Sequence, residues 1–216
     1  VDCSDNEVNI KIALNREVME GRLDFDKRNK LLAKMTDDVA QLVLEDNRLQ
    51  ALGLSIAEAG GNDDLASYVR LIETFEESGR LDRQVEGLAA NDQLLRRGQD
   101  GQGLTRPELA VLLSTAKLSL QDAIEHGDLA NDVSMIDELM AAFPPAMQEK
   151  EADAIAAHAL RKEIIATKVA NRIINRLGLI HPFELAEEEG CSLADLANAF
   201  LIAERLYGIR DLWADI

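Results

Sequence analysis

Apolar residues recur at helical spacing along most of the chain, and most regularly over 160–178. Ile165, Val169, Ile173 and Leu177 follow one another every fourth residue, and Ala166, Ala170 and Ile174 form the row beside them. One half of a helix is therefore apolar. The other half carries Thr167, Asn171 and Asn175 in one row and Lys168, Arg172 and Arg176 in the next, and Gly178 follows as a C-cap behind cations in the last turn. The pattern predicts a long helix with one side in a core. Its Asn/Arg side has two readings: a solvated face, or a docking face for something anionic or rich in carbonyls.

The rest of the chain is punctuated in the same way. Ser4 and Glu7 have the spacing of a capping box, which predicts a helix over 5–20 with Val8, Ile12 and Met19 inward and Gly21 as its end. Asp24 reads as the N-cap of a second helix over 25–34. Thr36 opens a longer one in which Val39, Leu42, Val43, Leu49, Leu52 and Ile56 keep helical spacing. After Gly60-Gly61-Asn62, Leu65, Tyr68, Val69, Ile72 and Phe75 form the next stripe, and Asp82 reads as the cap of a helix reaching Arg97. Gly98, Gly101 and Gly103 invite a phosphate-loop reading, but no β-branched strand precedes them, and the run reads as a surface loop.

Thr105, Pro107 and Glu108 make the clearest helix start, with Leu109, Leu112, Leu113, Ala116 and Leu120 facing one way. A short helix over 133–143 should stop at Pro144-Pro145, and 147–159 should continue into the helix at 160. Ser192 and Asp195 open a last long helix with Leu193, Leu196, Ala197, Phe200, Leu201 and Tyr207 inward. No segment alternates as a half-buried strand would. The expected fold is all-α, an irregular multi-helix bundle of about nine or ten helices without significant sheet.

Composition narrows the function more than it defines it. A chain of 216 residues can build a sizeable core without metal or disulfide. A formal charge of −17 argues against a nucleic-acid groove or an anionic membrane surface as partner. No apolar run approaches the ~20 residues of a membrane span. The two cysteines, Cys3 and Cys191, lack metal-ligand spacing and read as ordinary thiols of a reducing compartment, so the cytoplasm is the expected location. His126, His158 and His181 are scattered and form no helical ligand pair, so no metal site is expected. Runs such as Glu187-Glu188-Glu189 read as solvated faces, and Ser4, Ser114 and Ser192 have no nucleophile-elbow context. The residues alone describe a helical protein without a self-contained active site. A free-standing helical adaptor that binds another protein through an exposed groove is one class that fits. A first residue of Val instead of Met suggests the other, an excised piece of a longer polypeptide.

Three stretches carry a family resemblance. Val-Asp-Cys-Ser-Asp-Asn-Glu-Val-Asn over 1–9, continued by Ile10-Lys11-Ile12, resembles a run characteristic of the large bacterial NAD-specific glutamate dehydrogenases. Leu-Thr-Arg-Pro-Glu-Leu-Ala-Val-Leu-Leu over 104–113 and Leu-Arg-Lys-Glu-Ile-Ile-Ala-Thr-Lys-Val-Ala-Asn over 160–171 resemble the C-terminal region of the same family. The resemblance implies a parent enzyme that oxidatively deaminates L-glutamate to 2-oxoglutarate and ammonia with NAD. It places the catalytic Lys and Asp and the dinucleotide-binding glycines upstream, so that no catalytic and no cofactor-binding residue is expected here. It also implies that 1–35 is the end of the catalytic core and 36–216 a helical C-terminal domain. The expected partners are then the upstream domains of the same polypeptide and other copies of the parent in a homo-oligomer. In the family a serine at the position of Ser4 helps hold the side-chain carboxylate of glutamate; the capping box would use the same oxygen, and both readings stand. On this view the chain is a structural, assembly or regulatory element, inactive alone, and 1–34 should be held less firmly than the rest.

Overall fold

The computed structural model describes the backbone of residues 2–214 and the side chains of residues 6–213. Its helices are α1 (Asp2–Met19), α2 (Phe25–Lys34), α3 (Thr36–Gly60), α4 (Leu65–Glu77), α5 (Asn91–Gln99), α6 (Arg106–His126) and α7 (Ile136–Met140). They continue with α8 (Pro145–Lys150), α9 (Ala152–Ala156), α10 (Arg161–Leu177), α11 (His181–Glu188), α12 (Leu193–Leu206) and α13 (Ile209–Ala214). No strand occurs among the described residues, and none of these helices is long and apolar enough to cross a membrane. The fold is all-α, as the patterning predicts.

The centre is the pair α6 and α10. α10 buries Ile165, Ala166, Val169, Ala170, Ile173 and Ile174, which is the apolar half-cylinder of the sequence, and Gly178 ends it in the left-handed region at φ +84°. α6 meets it with Leu109, Leu112, Leu113, Ala116, Leu120 and Ile124, and the alanines on both helices let the backbones approach. Each fully buried Leu or Ile here contributes about 1.5–3 kcal/mol of transfer free energy. The start of α6 is fixed by Glu108, whose carboxylate accepts the Thr105 N–H and the Thr105 hydroxyl, both at 2.8 Å. Arg97 donates to the same carboxylate at 2.8 Å. Burial pushes the Glu108 pKa up, but these hydrogen bonds and the Arg97 charge outweigh it and hold the group below the usual carboxylate range.

α3 and α12 flank this pair, α12 with Leu196, Ala197 and Leu201 inward behind the Ser192–Asp195 capping box. α1 lies against α3 and α9. Its first turn includes Ser4, which the backbone places inside the helix and not at its N-cap; the Ser4 side chain lies outside the described residues. The inward face is Ile10, Ala13, Leu14 and Glu17, whereas Val8 is 49% and Met19 87% exposed. Ala13 between Ile10 and Leu14 lets α1 sit close on its neighbours, and the bulkier stripe expected inside faces out. Glu17 is matched by a bidentate Arg22 at 2.6 and 2.7 Å, which keeps its pKa low. Ile10, Ala13 and Leu14, at 2% exposure or less, belong to the core of the bundle.

Other expectations need correction. Asp82 caps a turn and not a helix: it accepts the Gln84 and Val85 N–H groups, and Gly87 at φ +69° redirects the chain before α5. Arg83 holds that path by binding Glu76, the Ala89 carbonyl and Asn91. Residues 133–159 are broken into a 3-10 turn (Val133–Met135) and the short helices α7, α8 and α9, with Leu139, Phe143, Met147 and Ile155 buried to 1% exposure or less. Tyr207, expected inward, is 71% exposed, because Gly208 at φ +60° turns the chain into α13.

The glycine run has a packing role. A Cβ on Gly103 would lie 2.3 Å from the Gly61 carbonyl oxygen, and one on Gly98 would meet Leu65 and Asn62 at 2.9 and 3.0 Å. The glycines let two loops touch backbone to backbone.

Candidate functional site

The polar half of α10 is the most densely functionalised surface of the bundle, and most of it is turned onto the protein's own side chains. Lys168 lies 3.6 Å from Asp46 of α3, and the Thr167 hydroxyl donates to the Glu163 carbonyl within the helix at 2.8 Å. Arg172 donates to Glu138 at 2.5 Å and pairs with Glu204 at 3.3 Å. From α13, Arg210 binds Glu204 at 3.1 Å and also Glu138. Each guanidinium thus touches both carboxylates, and the four charges cancel.

Glu138 is 4% and Glu204 1% exposed, so the two carboxylates lie under the surface, while the Arg210 side chain reaches solvent at 45% exposure. Burial pushes the Glu138 pKa up, but the Arg172 and Arg210 charges and hydrogen bonds outweigh it and the group sits below the usual carboxylate range. Burial acts to lower the Arg210 pKa, and Glu138 and Glu204 reverse that too. Beside the ring, the Arg176 guanidinium stacks over Trp213 at 4.5 Å, and Trp213 stacks on Phe200 with centroids 6.3 Å apart. Neither sequence reading of this face holds in full: it is neither simply solvated nor vacant for an outside anion, since Glu138 and Glu204 fill that role. The two glutamates and Arg210 carried a weak sequence signal, a carboxylate on the apolar side of α12 at Glu204.

Two open clefts lie along α10, one beside the ring and one lined by it. One, of about 280 Å³, lies between α1, α3, α6 and α10 and is lined by Asn6, Asn9, Asp46, Gln121, Lys168 and Asn171 among others. The other, also about 280 Å³, shares Asp46, Lys168 and Asn171 and reaches Trp213. Asn175 has a buried side-chain oxygen without a protein partner. Such a lining offers hydrogen bonds, the Asp46–Lys168 pair and, in the second cleft, the four charges of the ring, with no paired nucleophile and base.

His158 ties the first cleft together. It is 5% exposed; its Nδ1 accepts the Leu160 N–H at 3.0 Å, so Nε2 bears the proton and donates to the Asn9 carbonyl at 3.0 Å. Arg16 adds a hydrogen bond to the Ala157 carbonyl at 2.7 Å. His126 bonds within its own helix to the Asp122 carbonyl and His181 begins α11, so the three histidines stay apart. Among the described residues no three His, Cys, Asp or Glu converge as metal ligands, and Cys191 is a free thiol. The serine named by resemblance, Ser4, shares α1 with the cleft residues Asn6 and Asn9, but its side chain is outside those described.

The family model "Glutamate dehydrogenase, C-terminal" matches residues 101–216, and "Bacterial NAD-glutamate dehydrogenase, catalytic domain" matches residues 1–57. The chain is 38% identical over 216 residues, its whole length, to an NAD-specific glutamate dehydrogenase of Halomonas elongata. It is 40% identical over 207 residues, 96% of the chain, to one of Pseudomonas aeruginosa, and 33% identical over 216 residues to one of Mycobacterium tuberculosis. It spans 13% of the length of each.

Proposed function

The chain belongs to the glutamate dehydrogenase C-terminal family, and on that footing we propose that it is the helical brace of an NAD-specific glutamate dehydrogenase, holding the end of the catalytic core in place. The observation that carries this reading is a shared core. Ile10, Ala13 and Leu14, from the stretch matched to the catalytic domain, are buried in one cluster with Leu112, Ile165 and Ile173 from the stretch matched to the C-terminal family. His158 and Arg16 add hydrogen bonds across the same junction.

In this reading the parent converts L-glutamate and NAD to 2-oxoglutarate, ammonia and NADH in the cytoplasm, as a homo-oligomer. Residues 1–35 complete its catalytic core and 36–216 form the C-terminal helical domain. Hydride transfer needs a dinucleotide held at strand ends with its pyrophosphate at a helix N-terminus, which a βαβ unit supplies. NAD, the catalytic Lys and Asp, and the nucleotide-binding glycines therefore reside in the remainder of the polypeptide. This chain contributes Ser4, whose hydroxyl donates one hydrogen bond to the side-chain carboxylate of glutamate, and the bundle fixes the helix that carries it.

The test compares the isolated chain with the full-length enzyme. The isolated chain should show no NADH formation and no calorimetric heat with NAD, while the full-length enzyme turns over. In the full-length enzyme Ser4→Ala should raise the KM for glutamate and leave that for NAD unchanged. Turnover by the isolated chain, or a Ser4→Ala enzyme with unaltered glutamate kinetics, would overturn the reading.

A further inference from the structure

α1 is apolar on two sides. Ile10, Ala13 and Leu14 face the bundle, and Val8, Ile12 and Met19 fall on the other side at helical spacing, with Val8 49% and Met19 87% exposed and Ile12 half-buried. Polar residues such as Lys11, Asn15 and Arg16 separate the two stripes, and a helix with a second apolar stripe opposite its packed face suits a place between two layers. Phe25, at the start of α2, is also exposed, with Arg28 over its ring.

We propose that the outward stripe of α1, Val8, Ile12 and Met19, docks against the remainder of the catalytic domain, so that α1 is clamped between that domain and the helical bundle. The occupant follows from two facts. α1 lies within the stretch that matches the catalytic-domain family, and the chain accounts for only 13% of the length of its relatives, so most of such a polypeptide is chain outside the residues described. A second copy of the chain fits less well, because a body of formal charge −17 repels its own kind at close range. The inference rests on the reading of the chain as part of a longer dehydrogenase. Its consequence is that α1, the helix carrying Ser4, takes its orientation from both layers.

The experiment is thiol labelling of Met19→Cys, with the unsubstituted protein as background for the native cysteines, in the isolated chain and in the full-length enzyme. The isolated chain should label as an exposed thiol at every protein concentration, and the full-length enzyme at least about tenfold more slowly, since reaction then waits on local opening. A charge placed in the same stripe, Met19→Glu, should lower the thermal midpoint of the full-length enzyme and leave that of the isolated chain unchanged. Equal labelling rates in the two proteins would overturn the proposal. Protection in the isolated chain that grows with concentration would put a second copy on the face and overturn the assigned occupant. Failure of the brace reading shows separately, in the Ser4→Ala glutamate kinetics, which labelling does not touch.

Discussion

The imidazole of His158 is hydrogen-bonded to the main-chain carbonyl of Asn9, 149 residues earlier, at 3.0 Å. The other ring nitrogen is taken by the Leu160 N–H, which fixes the tautomer, and the Phe143 ring lies 5.8 Å away, tilted against the imidazole. One side chain thus joins α1, the turn before α10 and the core. It is one buried link between the region matched to the catalytic domain and the region matched to the C-terminal family, beside the shared apolar core.

His158→Phe keeps the ring but removes both hydrogen bonds. The Asn9 carbonyl retains a helical position, whereas the Leu160 N–H loses its acceptor inside the protein, which costs about 1–3 kcal/mol. The urea midpoint should fall accordingly at constant slope, and His158→Gln should restore part of the loss by offering one amide group. A His158→Phe protein as stable as the original would mean that the buried bond contributes nothing.

The Glu138, Glu204, Arg172, Arg210 ring makes a second prediction. Removing one member leaves a buried charge undercompensated, so Arg172→Met should cost up to about 3–5 kcal/mol at neutral pH, reduced by the Arg210 contacts that remain. Because Glu138 is held below its unfolded value, its contribution is complete above about pH 4.3 and is lost as pH falls through the depressed folded value. Stability measured against pH should therefore slope downward on the acid side, and Arg172→Met should flatten that slope. Adding Glu138→Gln to Arg172→Met should recover stability, because the unpaired charge is gone. An additive double variant would show that the two groups do not interact.

How much of this was readable depends on how local the cause is. α10 was legible because its apolar rows are a property of the helix alone, and the start of α6 because Thr105, Pro107 and Glu108 satisfy one another within a single turn. The fate of the α10 polar face was not, since Arg172 is answered by Glu138 from 34 residues away and by α13, a six-residue helix too short to show a period. The face of α1 was misread for a related reason. Val8, Ile12 and Met19 have a better apolar pattern than Ile10, Ala13 and Leu14, and nothing local says which layer each stripe meets. Between α4 and α5, the Asp82 cap was visible, but the hold that Glu76 and Asn91 exert on Arg83 reaches seven and eight residues along the chain, beyond any capping motif.

Glu151, between α8 and α9, behaves in the opposite sense to Glu138. Burial and the nearby Glu17 charge raise its pKa, with Lys150 acting against them. A carboxyl with a raised folded value costs no stability below its unfolded value of about 4.3 and costs progressively more as pH rises through the folded one. Glu151→Gln should then match the original protein in acid and exceed its denaturation midpoint at neutral pH. A variant that is equally stable at both would remove the electrostatic argument.

The last prediction sets two glycines against each other. Gly53 lies within α3 with no atom placed within 4 Å of an added Cβ, so Gly53→Ala meets open space. Alanine there limits the unfolded backbone and favours the helix, a gain of about 0.8–1.0 kcal/mol. For a chain of this size that corresponds to a rise of roughly 2–4 °C in thermal midpoint. Gly103→Ala adds the same methyl group where a Cβ would stand 2.3 Å from the Gly61 carbonyl oxygen and 2.6 Å from its carbon. The atoms in the way are backbone, so the two loops must separate, and overpacking of this kind costs about 1–3 kcal/mol. Scanning calorimetry of the two variants should therefore give shifts of opposite sign. If Gly103→Ala melts with the original protein, the two glycine loops are not in contact and the run from Gly98 to Gly103 is a free surface loop after all.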